Sequence, residues 1–195
     1  MTMTEIKILA FAGSTRKESF NKQLIKLAAE TLEDNEVEIT VVDLKEFPLP
    51  LYDGDDEAAH GLPEKAAELK KLMSEAHGFI ISAPEYNGSL SAVLKNTIDW
   101  TTRPGAVEGS VYQGKPVFML SASPGGLGGL RGLYHLRDVL SNIGALVVPA
   151  QYAVSKVHEV LGEEASRVEL EKNLAPMVAD FIDVVKKLSL TRQLV

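Results

Sequence analysis

The chain has 195 residues, 45% of them hydrophobic and 24% charged, with no cysteine, a formal net charge of −7 and a pI near 5.2. That length and balance suit one well-buried core, a single domain over residues 1–195, and not a disordered chain. The acidic excess argues against non-specific nucleic-acid binding, and the lack of cysteine removes disulfides, thiol nucleophiles and thiolate metal sites, in keeping with a reducing cytoplasm.

Met1-Thr2-Met3-Thr4-Glu5 has no basic region, and the apolar run after it is short and interrupted by Lys7, so no secretory leader is expected. No apolar stretch approaches membrane-spanning length, so no membrane partner is expected. Apolar runs at Ile6–Ala12, Val37–Val42, Phe79–Ala83, Val117–Ala122 and Ala145–Val148 read as five strands separated by helical stretches. This alternation predicts a parallel sheet with helices on both faces.

Gly13-Ser14-Thr15-Arg16-Lys17-Glu18-Ser19-Phe20-Asn21 follows the first strand and opens a helix marked by Leu24, Leu27, Ala28 and Thr31. Its hydroxyls, the Asn21 amide, the Arg16 fork and the amides of the helix start suit a phosphate. Neither G-x-G-x-x-G nor G-x-x-x-x-G-K-[ST] occurs in this turn, so a phosphomonoester is a better ligand than a dinucleotide or nucleoside triphosphate.

The segment from Leu44 to Leu62 is long for a connection and rich in proline and acid; it reads as a solvated loop or a lid. Pro63 sits early in a helix carrying Leu69, Leu72 and Met73. The third strand runs into Ala83-Pro84-Glu85-Tyr86-Asn87-Gly88-Ser89-Leu90-Ser91-Ala92, then a stretch ending Leu94-Lys95-Asn96-Thr97-Ile98-Asp99-Trp100. Trp100 reads as a core or interface anchor, and the surface around Leu94, Ile98 and Trp100 is expected to bury itself against a second subunit. After the fourth strand come Ser121-Ala122-Ser123-Pro124-Gly125-Gly126-Leu127-Gly128-Gly129-Leu130-Arg131, then a helix with Leu133, Leu136, Leu140 and Ile143. The last helix, with Leu174, Val178, Phe181, Ile182 and Val185, contains Pro176, which either kinks or divides it. His60, His77, His135 and His158 are scattered, and no metal site is expected.

The three polar or glycine-rich loops follow strands one, three and four, at the sheet edge where open doubly wound folds collect ligands. Pro84 and Tyr86 offer rigid apolar surface, the Glu85–Asn87 backbone offers donors, and Gly125 and Gly126 allow close approach. A flat aromatic ligand with polar edges fits, and an isoalloxazine is one.

With these motifs in order, the chain resembles the NADPH-dependent FMN reductases of the flavodoxin-like fold, which include quinone, chromate and azo-dye reductases. The first loop is similar to that family's G-S-x-R-x-x-S-x-N, the second to P-E-Y-N-x-S and L-K-N-x-I-D-W, and the third to S-P-G-x-x-G-G-x-R. Ser91-Ala92 stands where the family commonly has Pro-Gly. The resemblance implies a three-layer, five-stranded parallel sheet of order 2-1-3-4-5. It implies FMN with its phosphate on Ser14, Arg16, Ser19 and Asn21, and its ring between Pro84, Glu85, Tyr86, Asn87 and Ser121, Ser123, Gly125, Gly126. It implies hydride transfer from NADPH or NADH through FMN to quinones, azo dyes, free flavin or metal anions, with no catalytic acid or base, in a cytoplasmic homodimer or homotetramer. The alternative is a flavodoxin-type electron carrier serving a protein partner.

Overall fold

A computed structural model describes residues 5–32 and 36–192 and turns each long apolar run into a strand; the reading of Met1 to Thr4 lies outside the described residues. In chain order the elements are β1 (Ile6–Ala12), α1 (Phe20–Glu30), β2 (Val37–Val42), a 3-10 turn (Leu44–Glu46), α2 (Gly54–His60), α3 (Glu64–Glu75), β3 (Gly78–Ser82), β4 (Glu85–Tyr86), β5 (Ser89–Leu90), α4 (Ala92–Thr101), β6 (Pro116–Ala122), α5 (Leu130–Asn142), β7 (Leu146–Val154), α6 (Val157–Gly162) and α7 (Glu164–Arg192). The main sheet is parallel in the order β2-β1-β3-β6-β7, while β4 and β5 form a separate antiparallel hairpin. With the hairpin set apart, this is the 2-1-3-4-5 order of the flavodoxin-like fold.

Side chains alternate along a strand, and a strand covered on both faces must therefore be apolar throughout. β1 sends Ile6, Ile8, Ala10 and Ala12 toward α1 and α7, where they meet Leu24, Ile25, Leu174, Val178 and Phe181. Leu9 and Phe11 point the other way, into a cluster with Leu69, Met73, Leu94, Ile98, Leu133 and Leu136 from α3, α4 and α5. Each fully buried large aliphatic or aromatic side chain contributes about 1.5–3 kcal/mol. Edge strand β2, by contrast, holds only half-buried and exposed residues.

Several details differ from, or decide between, the readings of the sequence. Leu94, Ile98 and Trp100 are 0%, 2% and 1% exposed within the single chain, so they are core and not a surface awaiting a subunit. The Trp100 indole donates to the Pro50 carbonyl (2.8 Å) and stacks edge-on with Tyr52, partners contributed by a loop remote in sequence. The Leu44–Leu62 segment contains the 3-10 turn and α2, and it is tied to α4 by Asn96, which accepts from the Tyr52 amide (2.8 Å) and donates to Pro50 O (2.8 Å). Its acidic run is the start of α2: Asp53 caps the helix, and Asp55, Asp56 and Glu57 occupy the first turn, where the helix dipole favours negative charge.

The last strand is longer than the predicted Ala145–Val148, because a bulge lets it continue past Pro149: Val117 pairs with Val147 and Met119 with Gln151. Arg137 on α5 covers that bulge, donating to Val148 O (3.1 Å) and Gln151 Oε1 (2.9 Å). α7 runs undivided through Pro176, held by buried Leu174 and Val178 on either side of it.

Candidate cofactor site

At the end of β1 the Gly13 amide extends the ladder by donating to Ser82 O (2.9 Å), and the Ser14 amide folds back onto Ala12 O (2.8 Å). The chain then swings out through exposed Thr15, Arg16, Lys17 and Glu18 and re-enters at Ser19. Ser19 is the N-cap of α1, its hydroxyl accepting from the Lys22 amide (3.4 Å). The first turn of α1 carries no acidic residue, so nothing on the helix offsets its positive N-terminal dipole. An anion placed against Ser14, Arg16 and Ser19 would do so.

Ser91, the first of the two residues that depart from the family pattern, reaches this loop. Its hydroxyl caps α4 by accepting from the Leu94 amide (3.2 Å) and donates to Gly13 O (2.6 Å). The helix lies so close that a Cβ on Gly13 would sit 2.8 Å from Leu94 Cβ.

The second loop is the β4–β5 hairpin, turned by Asn87 and Gly88 at φ 52° and 80°, the left-handed pair that a type I′ turn demands. Pro84 is buried, whereas Tyr86 and Asn87 at the tip are exposed. Glu85 points away from the sheet rim toward α5: it accepts from Arg131 Nε (2.8 Å) and the Gly132 amide (3.1 Å). Burial raises the Glu85 pKa, but the Arg131 and Gly132 bonds outweigh it and hold the carboxyl below its ordinary range. Ser89 adds a contact to His135 (3.0 Å), and a Cβ on Gly132 would come within 3.3 Å of Glu85 Cβ and Ser89 O. The hairpin is therefore clamped to the first turns of α5.

The third loop separates its glycines by role. At Gly128 an added Cβ would meet the backbone of Ser155 at 2.7 Å, and at Gly129 it would strike the Ser121 hydroxyl, so packing requires both. At Gly125 the nearest atom would be Ser123 Oγ at 3.5 Å, and at Gly126 nothing lies within 4 Å. Packing thus explains two glycines; Gly125 has room for a side chain beside Ser123, and Gly126 faces open space. Ser123 accepts from the Gly125 amide (3.1 Å) and is half-buried at the loop's start.

Of the implied ligand residues, Ser14, Ser19, Asn21, Pro84 and Ser121 are buried, and the side chains of Asn21 and Ser121 are taken up by bonds to the sheet ends. Ser121 is fully buried and donates to Ala83 O (2.7 Å), tying loop three to loop two. Asn21 is buried too: its Oδ1 accepts from the Ala122 amide (3.0 Å) and from Ser82 Oγ (2.8 Å), and its Nδ2 donates to Ala122 O (2.9 Å). Both brace the rim from beneath.

A groove of about 590 Å³ lies on the β2 side of the first loop and shares Ser19 with it, lined also by Lys17, Lys22, Asp43 and Lys45 among others. Lys22 and Asp43 pair across it at 2.7 Å, and it adjoins neither the hairpin nor the glycine loop. Among the described residues no three His, Asp or Glu side chains gather to hold a metal ion, and no helix is long and apolar enough to cross a membrane.

Comparison with known proteins agrees with this geometry. The sequence profile of a family described as NADPH-dependent FMN reductase matches residues 6–159. An NAD(P)H:quinone oxidoreductase of Solanum tuberosum is 39% identical over 136 residues, 69% of this chain and 66% of its own length, just under two thirds. A 2-hydroxy-1,4-benzoquinone reductase of Burkholderia sp is 33% identical over 171 residues, covering 87% of this chain and 85% of its own. Among solved structures, the flavoenzyme NAD(P)H:(acceptor) oxidoreductase FerB of Paracoccus denitrificans superposes with a TM-score of 0.75 at 27% identity, over 93% of this chain and 98% of that one.

Proposed function

Because the chain belongs to the NADPH-dependent FMN reductase family, we propose that it is an NAD(P)H-dependent FMN oxidoreductase that reduces small acceptors of the quinone class. The observation that carries this reading is the convergence of an anion-ready helix start, a clamped hairpin and two glycines that packing does not require, Gly125 and Gly126, on one rim of the sheet.

The residues fit the cofactor. Ser14, Arg16, Ser19 and the first amides of α1 would hold the phosphate, and the tip of the hairpin and the Ser123–Gly126 backbone would border the ring. When bound, FMN supplies the hydride chemistry linking nicotinamide to acceptor. The chain's own residues bind and orient: Tyr86 presents apolar surface at the hairpin tip with buried Pro84 behind it, Asn21 and Ser121 fix the spacing of the loops, and no side chain is assigned as acid or base. Three loops enclosing one side of a ring leave its other face for both substrates in turn. NAD(P)H is a cytoplasmic reductant, so the cytoplasm is the compartment proposed.

Anaerobic mixing of the FMN-loaded protein with NADPH or NADH alone should bleach the flavin, and steady-state turnover with a quinone should give parallel double-reciprocal lines. A flavin that stays yellow until a protein donor is added overturns the reductase reading and favours the electron carrier.

A further inference from the structure

We infer that Ser91 is a positioning residue for the phosphate loop, setting the affinity for the phosphate end of the flavin without touching it. The inference rests on the FMN reading above.

The peptide joining Gly13 to Ser14 is where the chain leaves β1 and turns into the loop. Peptide planarity means that fixing its two polar ends fixes the direction of exit. Both ends are held: the carbonyl accepts from the Ser91 hydroxyl (2.6 Å), and the amide donates to Ala12 O (2.8 Å). One residue earlier the Gly13 amide is held by Ser82 O (2.9 Å). The Ser91 hydroxyl is suited to the task, since it spends its one proton on Gly13 while a lone pair accepts from the Leu94 amide (3.2 Å).

Water has no room to take over. Ser91 is 3% exposed, and Leu94 packs so tightly on Gly13 that a Cβ there would lie 2.8 Å from Leu94 Cβ. Without the hydroxyl the Gly13 carbonyl loses that partner, and the peptide, held only at its amide end, can tilt and carry Ser14 and Arg16 with it. A proline at this position has no hydroxyl to make the bond, so the device belongs to this chain's departure from the family pattern.

The test compares two ligands that share a ring and differ only in the phosphate. Apo wild type, Ser91→Ala and Ser91→Thr are titrated with FMN and with riboflavin by quenching of flavin fluorescence. Ser91→Ala should lose roughly tenfold in FMN affinity, the effect of one buried hydrogen bond transmitted to a charged ligand, while its riboflavin affinity stays within about twofold of wild type. Ser91→Thr, which keeps the hydroxyl, should restore FMN binding. If Ser91→Ala fails to fold, Ser91→Gly, a tolerated cap, must show the same selective loss. Unchanged FMN affinity, or equal losses for FMN and riboflavin, overturns the inference and makes Ser91 an ordinary cap. Wild type that binds no FMN, or binds it no better than riboflavin, overturns the phosphate reading itself and the inference with it.

Discussion

The side chain of Glu85 is 8% exposed beneath an Arg131 side chain that is 61% exposed. In water such a pair is worth little, but here one partner is buried and also accepts from the Gly132 amide, so losing Arg131 strands a carboxylate. Its folded pKa lies below the ordinary carboxylate value of 4.5. A depressed carboxyl stabilises the fold fully above its unfolded pKa and loses that contribution as pH falls through the folded value. Glu85→Gln should therefore lower the melting temperature at neutral pH, and the gap to wild type should narrow as pH falls below the ordinary carboxylate value of 4.5. Paired thermal melts across that range check this; a gap that does not depend on pH removes the ionised clamp. Residues such as Glu85 and Asn21 also mark where sequence reading stops. Their types suited a ligand site, yet the groups that claim them, on α5 and at the end of β6, lie 46 and 101 residues away.

Among the elements, legibility followed burial. The central strands were readable because both faces are covered and their runs are continuously apolar, and α1, α5 and α7 because each has a buried stripe. α2 has no buried residue and reads from the sequence as part of a solvated loop or lid; its only marks are the Asp53 cap and the acidic first turn. The β4–β5 hairpin has two residues per strand, too few for periodicity; its signal was Asn87-Gly88 between Glu85-Tyr86 and Ser89-Leu90. The turn makes a prediction at this scale. Gly88 has φ 80°, which a β-branched residue adopts only with strain, so Gly88→Val should cost about 1–3 kcal/mol, whereas Asn87→Gly should cost only a few tenths. Chemical unfolding of the two variants checks the ordering, and equal costs would mean that the turn is not type I′.

At the scale of the whole molecule, the burial of Leu94, Ile98 and Trp100 changes where a second subunit would dock. The exposed large apolar side chains include Leu51, Tyr86, Leu127, Tyr134 and Leu146, and three of these, Tyr86, Leu127 and Tyr134, belong to the hairpin, the glycine loop and α5. A homo-oligomer, if it forms, should use such side chains and leave α4 in the core. Light scattering at micromolar concentration should show a mass above one chain for wild type and a lower one for Tyr134→Ser combined with Leu127→Ser; a wild-type monomer overturns the assembly.

Asn21 joins the start of α1 to Ala122, the last residue of β6, and to Ser82 at the end of β3. A ribosome makes the phosphate loop early and β6 much later, and chains emerge at about 5–20 residues per second. For several seconds, then, a nascent chain carries the whole of the first loop with no partner for its asparagine. Flavin binding should begin only after β6 has emerged and docked, so the cofactor reports completion of the sheet and cannot act as a template for its first half.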